Sequence, residues 1–328
     1  MKQQTPYFTV ALTTYNRADL LVGALQSVMA QTFTDYELLI IDDASPDHTP
    51  QVVNDFMAEV AQQPDAPTIT YLRLPQNGGA ASAHQAGWQR TRSEFVVYLE
   101  DDDRFTPDFL AHMHQALHAA PPSVAFAVPG RSMFQVTATE TVFTRQETFG
   151  YRETTLLPGS RFFERATGGA SGLAVRVAAI GAAGGWPQGI KCGSDIDLMM
   201  HMAINNDYLI VPHAMLHVYN LDQAQVTHNL YCIAEAQERL TDQYADQFRR
   251  MPTRHAHRYR QAARKFYSIR ARREGRRCMW KAFKVNPFFY KTWGLFPMLE
   301  LFYFLPLTLR RHLYHDPRHG YLATQQST

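Results

Sequence analysis

Residues 95–103 read Phe95-Val96-Val97-Tyr98-Leu99-Glu100-Asp101-Asp102-Asp103, an unbroken apolar run that ends in four consecutive acids. Apolar residues without alternation describe a strand buried on both faces, the kind found inside parallel sheets. Four carboxylates at its end repel one another unless a cation lies among them, and hard oxygen ligands suit Mg2+ or Mn2+. The competing reading is a solvated acidic turn held by the dipole of a following helix. Such a helix is expected: Thr106-Pro107-Asp108 offers a capping hydroxyl, a proline in the first turn and an acid at the positive end.

Outward from this stretch the same rhythm repeats. Strands are expected at 7–12, 37–41, 69–74 and 124–128, and helices at 17–31, 49–61, 79–92 and 106–119. The alternation implies an α/β fold, a mostly parallel sheet flanked by helices, with ligands gathered at the carboxyl ends of the strands. Four loops therefore matter: 13–17, 42–48, 76–79 and 100–104. Asp42-Asp43-Ala44-Ser45 gives a second acid-ended strand, or alternatively an ordinary turn. One acidic end is then available to a nucleotide base while the other holds a metal. Asn77-Gly78-Gly79 opens a helix whose amides are expected to face phosphate oxygens. Beyond residue 130 come glycine-rich loops around a strand at 173–177, a helix at 195–205, and strands at 208–211 and 215–219.

Apolar residues make up 45% of the 328 and charged residues 19%, which excludes a mostly disordered chain. Cys192, Cys232 and Cys278 are too widely spaced for a disulfide framework or metal finger, so a reducing compartment is expected. The first twelve residues do not read as a secretory signal. A net charge of +2 hides an asymmetry: residues 1–248 carry 14 Lys+Arg against 27 Asp+Glu, and residues 249–328 carry 18 against 3. The basic end should meet an anionic surface. No recognition motif for nucleic acid accompanies the arginines, so anionic lipid is the expected partner. The apolar run 293–307 contains two prolines and Glu300 and falls short of the roughly 20 residues of a span, so it is read as lying in the membrane interface. The alternative is that it packs on the preceding domain.

Three segments, taken together, resemble glycosyltransferase family 2, the inverting nucleotide-sugar transferases of GT-A fold. They are VALTTYNRADLLVGALQSVMAQTFTDYELLIIDDASPDHT, RLPQNGGAASAHQAGWQRTRSEFVVYLEDDDRFTPDFL and GGWPQGIKCGSDIDLMMHMA, in the family's order and spacing. The resemblance implies a Rossmann-like GT-A catalytic domain over 1–225, with a nucleotide-sugar half (1–128) and an acceptor half (129–225); the residues that follow read as a helical basic region over 226–328. It implies that Thr13 and Tyr15 line the base, that Asp42 contacts its ring, and that Asp43, Asn77 and Gly78 complete nucleotide binding. Asp102 is implied as principal metal ligand for Mn2+ or Mg2+, with Asp101 near ribose and metal. Glu100 stands where the family often has Asp, and Asp103 is expected to orient the loop.

Asp195 matches the family's catalytic base, with Asp197 a further candidate. Ser194 replaces the acid usual before it, and His84 stands where relatives often carry an arginine. Trp186 is read either as an acceptor-stacking ring or as core, and His217 and His228 as candidate metal or phosphate contacts. The function implied is transfer of a sugar from a nucleotide-diphospho-sugar, a UDP-sugar first, to a glycan or lipid-linked acceptor in polysaccharide biosynthesis. The enzyme would be peripheral on the cytoplasmic face of a membrane. The alternatives are a non-catalytic nucleotide-sugar or membrane-binding module and a sugar nucleotidyltransferase.

Overall fold

A computed structural model describes residues 5–137, 139–165, 169–221, 229–288 and 290–302. The chain divides into two compact units, Met1–Asp222 and Gln223–Thr328. In the first, β1 (Phe8–Thr14), α1 (Ala18–Met29), β2 (Tyr36–Asp42), α2 (Thr49–Val60), β3 (Ile69–Arg73), α3 (Ala80–Arg90) and β4 (Phe95–Glu100) alternate as expected. They are followed by β5 (Asp103–Phe105), α4 (Phe109–His118), β6 (Val124–Val136), β7 (Thr141–Glu147), β8 (Thr155–Leu157), α5 (Phe162–Arg165), β9 (Ala174–Arg176), α6 (Val177–Ala182), α7 (Ser194–Ala203) and β10 (Asp207–Leu221). The sheet runs β3-β2-β1-β4-β9-β6-β10-β5, with β7 beside β6 and β8 beside β10. Its first four strands are mutually parallel.

The reason β1 reads as continuous apolar sequence is that all seven of its residues are buried. Phe8, Val10 and Leu12 share one core with Leu21, Leu25 and Val28 of α1 and Met113 of α4. Each side chain of this size contributes about 1.5–3 kcal/mol on burial. On the opposite face α3 approaches the sheet closely: a Cβ on Gly87 would stand 3.3 Å from both Ala11 and Ile41. Parallel register aligns the strand ends, pairing Thr14 with Asp42, Asp42 with Arg73 and Thr13 with Glu100. The candidate loops thus leave the sheet at one level.

Three local expectations change. β6 extends eight residues past Val128, where its burial gives way to half-buried positions, because β7 and β10 continue to pair with it. Positions 208–219 form one strand, irregular between Val211 and Met215, not two. Thr106 does not cap α4. Its hydroxyl donates to the Met215 carbonyl at 3.1 Å, and Asp108 precedes the helix without a side-chain capping bond.

The second unit consists of α8 (Leu230–Gln243), α9 (Ala245–Phe248), α10 (Pro252–Ser268), α11 (Arg272–Val285) and α12 (Tyr290–Phe302). Asn229 caps α8 by accepting from the Cys232 amide, and Pro252 opens α10. Ala234, Ala262, Ala263, Phe266, Cys278, Met279 and Leu299 form a core. Cys278 is a buried free thiol.

Several arginines read as facing an anionic surface are committed within the unit. Arg277 and Lys281 close on the buried Glu238, and Arg272 and Arg276 on Glu300. Among the described residues no helix is long and apolar enough to cross a membrane. The expectation for His228 and the run beyond residue 302 lies outside the described residues.

Burial works against the charged form of Glu238, but Arg277 and Lys281 outweigh it and hold its carboxyl down at about 2. A depressed folded-state value means stability that is present above the unfolded value near 4.5 and lost as pH falls toward 2. Glu238→Gln should therefore lower the urea midpoint at neutral pH. It should also flatten the decline of stability between pH 5 and pH 2, followed by helical circular dichroism.

Candidate functional site

The carboxyl ends of β2 and β4 deliver the acids, and the turn between β4 and β5 sorts those that follow Leu99. Glu100, Asp102 and Asp103 bring carboxylate oxygens within 4.8 Å of one another. Asp101 turns the other way. It accepts from the Thr14 hydroxyl at 2.7 Å and the Tyr15 amide at 3.3 Å. The expected pair of Asp101 and Asp102 is therefore split: Asp102 joins Glu100 and Asp103, while Asp101 ties β4 to the loop after β1. Arg17 spans the division, its Nη1 lying 3.1 Å from Asp101 and 2.8 Å from Asp102.

The electrostatics follow from this crowding. Burial, then the neighbouring carboxylates, holds Glu100 well above the usual carboxylate range. Burial and Asp102 push Asp103 up to about 7, against the Ser171 hydroxyl, the Tyr219 amide and Arg131. Asp101 rises to about 6 through burial, opposed mainly by Arg17. Arg17 in turn is held above its ordinary value by Asp101 and Asp102 despite its own burial. Three hard oxygen donors this close, each raised or crowded by its neighbours, fit a divalent cation.

On the β2 side, Asp42 is fully buried. It accepts from the Ser45 amide and the Tyr71 hydroxyl, both at 2.7 Å, with Arg73 at 3.6 Å. These bonds fix the residues around it. Asp43 accepts from the Gly78 and Gly79 amides at 2.9 and 2.7 Å, and Asn77 donates to the Asp43 carbonyl at 3.4 Å. The Asn-Gly-Gly amides, expected to face phosphate, are thus held by a carboxylate of the same chain. Tyr15 is exposed beside this region. Asn16 (φ 54°) and Ala44 (φ 61°) take left-handed backbone in the loops after β1 and β2, a cost of order 1 kcal/mol each that the surrounding bonds must sustain.

Thr13 packs beside His84, whose Nε2 lies 3.5 Å from its hydroxyl. His84 is buried against Trp186 and Tyr98, with ring centroids 4.4 and 5.0 Å away, and burial lowers its pKa to about 3. Trp186 donates to the Tyr98 hydroxyl at 2.7 Å and is 2% exposed, so it is core, not a stacking platform.

Asp195 lies in the first turn of α7, after Gly193, whose φ of 77° suits glycine. Burial raises its pKa, opposed by the Ile196, Asp195 and Gly169 amides and by Arg131. Its charge also acts on Glu100, so the two acids share one neighbourhood. Asp197 is buried. His217 is half-buried on β10 against Phe134 and opposite Arg104, outside the carboxylate group.

Sequence reasoning did not single out Arg17, Arg131 or Ser171. Ser171 accepts from the Glu100 amide at 3.2 Å and bonds the Asp103 side chain. It sits where the sequence shows only a glycine-rich loop. Gly172 lets that loop close, with φ 78° and its amide 2.7 Å from the Tyr98 carbonyl.

A glycosyl transferase family 2 profile matches residues 9–170, the span that supplies the acid-ended strands. Residues 9–170 are a glycosyl transferase family 2 domain. Succinoglycan biosynthesis protein ExoO of Rhizobium meliloti (strain 1021) is 34% identical over 122 residues, covering 37% of this chain and 33% of that protein. The putative colanic acid biosynthesis glycosyl transferase WcaA of Escherichia coli (strain K12) is 27% identical over 117 residues, 34% of this chain and 40% of that protein. The chain thus spans about a third of the length of these curated relatives.

Among solved structures, Staphylococcus aureus TarS 1-349 in complex with UDP-GlcNAc superposes with a TM-score of 0.60 at 16% identity, over 85% of this chain and 81% of that one. The mannosyltransferase PcManGT of Pyrobaculum calidifontis, in complex with GDP-Man and Mn2+, gives 0.58 at 16% identity, over 95% and 86%. The fold is the expected GT-A class.

If Arg17 serves as the protein's own counter-cation for Asp101 and Asp102, Arg17→Ala should cost roughly 1–3 kcal/mol in urea denaturation without metal. Mn2+ should then raise the melting temperature more in the variant than in the parent. An equal rise would contradict that role.

Proposed function

We propose that this protein transfers a sugar from a nucleotide-diphospho-sugar, a UDP-sugar first, to a glycan or lipid-linked acceptor with inversion at the anomeric carbon. The observation that carries the proposal is the meeting of two acidic groups of different character. Glu100, Asp102 and Asp103 form a crowded oxygen-donor cluster at the sheet edge, and Asp195 stands near it at a helix N-terminus. Support for the donor class comes from the nucleotide sugars bound in TarS and PcManGT.

Asp102, with Glu100 and Asp103, would hold Mn2+ or Mg2+. When bound, the ion supplies Lewis-acid stabilisation for the charge that grows on the departing diphosphate. The chain's own residues do the rest. Exposed Tyr15 meets the base, and Asp42 and Asp43 act through the groups they hold: Tyr71, Ser45 and the Asn77-Gly78-Gly79 turn. Thr14 and Arg17 keep Asp101 fixed, so the loop after β1 and the acidic strand end stay in one arrangement. Asp195 takes the proton from the acceptor hydroxyl as its oxygen attacks opposite the leaving group. A single displacement inverts the centre and needs no enzyme nucleophile.

A panel of nucleotide sugars with Mn2+ or Mg2+, scored for nucleoside diphosphate release, tests the reading. Asp102→Ala should abolish metal-dependent release. Asp195→Asn should leave donor binding within about twofold by calorimetry while cutting transfer at least about a hundredfold, within the usual reach of general-base loss. Near-normal transfer by Asp195→Asn would remove Asp195 as the base. Donor binding with no turnover for any acceptor would favour a binding module.

A further inference from the structure

Helix α12 buries Leu299 in the core of its unit, with Leu295 and Phe296 packed beside it, and is apolar on its outer face as well. Its one acid, Glu300, points inward, where Arg272 donates at 2.6 and 3.1 Å, Arg276 at 2.5 and 2.8 Å, and the Tyr267 hydroxyl bonds it as well. Thr292 is likewise fully buried. The exposed positions are Trp293 (61%), Met298 (39%) and Leu301 (71%), together with Gly294 and Pro297. Their spacing of four and three to four residues places them on one face. A soluble helix normally turns its charges out and its apolar stripe in. Phe288, just before the helix, is 94% exposed, which extends the apolar surface.

The neighbouring α11 adds charge to the same unit. Its sequence RREGRRCMWKAFKV holds six cations and one acid. Arg273, Arg276, Arg277, Trp280 and Lys284 are its exposed side chains near one stripe, and Trp280 is 58% exposed among the cations. Trp280, Phe283, Trp293 and Phe296 touch through rings 4.7–6.1 Å apart, so the two helices carry one aromatic cluster. The Trp293 indole N–H is satisfied by the Pro287 carbonyl at 2.6 Å, which leaves no polar demand on its outward ring.

We infer that the α11–α12 face, built from Trp280, Lys284, Phe288, Trp293, Met298 and Leu301, is a docking surface for an anionic phospholipid bilayer. Aromatic and aliphatic side chains enter the headgroup–acyl boundary, and Arg273 and Lys284, the exposed α11 cations not closed on Glu238 or Glu300, meet lipid phosphates. A bilayer satisfies both halves of the surface at once: the apolar face of α12 offers nothing to a nucleic-acid backbone, and a second positive copy would repel the α11 stripe. The inference stands on the C-terminal unit alone and does not depend on the transfer reaction.

The test uses the full chain with phosphatidylcholine vesicles, with and without phosphatidylglycerol, in a sedimentation assay. Binding should appear with the anionic vesicles and weaken as salt rises. Lys284→Gln should weaken it about fivefold, the effect of one interfacial cation. Trp293→Ser with Leu301→Ser should weaken it further, with helical circular dichroism unchanged because both positions are exposed. Brominated lipid should quench tryptophan fluorescence in the parent and lose most of that effect in Trp280→Phe with Trp293→Phe. No sedimentation with anionic vesicles would overturn the inference, as would binding unaffected by these substitutions. A concentration-dependent dimer that the Trp293 and Leu301 changes dissolve would assign the face to a second copy and overturn it too.

Discussion

Repulsion among the acids that close β4 is the constraint around which the first unit is organised. Like charges at this spacing in a partly dry environment cost several kcal/mol unless they are separated, protonated or paired. The fold uses all three responses. The turn after β4 sends Asp101 to one side and leaves Glu100, Asp102 and Asp103 on the other. Burial raises the proton affinity of Glu100, Asp101 and Asp103. Arg17 is brought back from the loop after β1 to face both groups. The parallel register that puts Thr13 opposite Glu100 makes this return short. Sheet topology and site electrostatics are thus one design.

The alternation of strands and helices over the first 128 residues was legible because each central strand is buried on both faces and each helix has an apolar stripe. The later strands were harder to read. The extension of β6 past Val128 has half-buried positions whose pairing comes from β7 and β10, and no local pattern reveals partners distant in sequence. Position 106 shows a related limit. Its threonine matches a capping signal, yet a carbonyl over a hundred residues away takes the hydroxyl. Local propensity yields where a tertiary bond is available.

The acids themselves were legible as a group, but not their division. Consecutive letters in a sequence do not say which side each carboxylate takes once the strand ends at Glu100 and the chain turns. Ser171 and Arg131 were out of reach because they act from a glycine-rich loop and a late strand. The Asn-Gly-Gly turn was visible, whereas its engagement with Asp43 was not, since the two lie 35 and 36 positions apart. In the C-terminal unit, charge counting revealed the excess of arginine but not that Glu238 and Glu300 gather several of those side chains inward.

His84 has a consequence beyond packing. Wedged between Trp186 and Tyr98, it resists protonation until the medium is far more acidic than any ordinary cellular compartment. An arginine there would bring a permanent positive charge, and a solvated imidazole would gain or lose one near neutrality. This ring does neither, so the floor beneath Thr13 keeps the same electrostatic character through mild acidification. Whatever binds above it meets a constant, uncharged aromatic base.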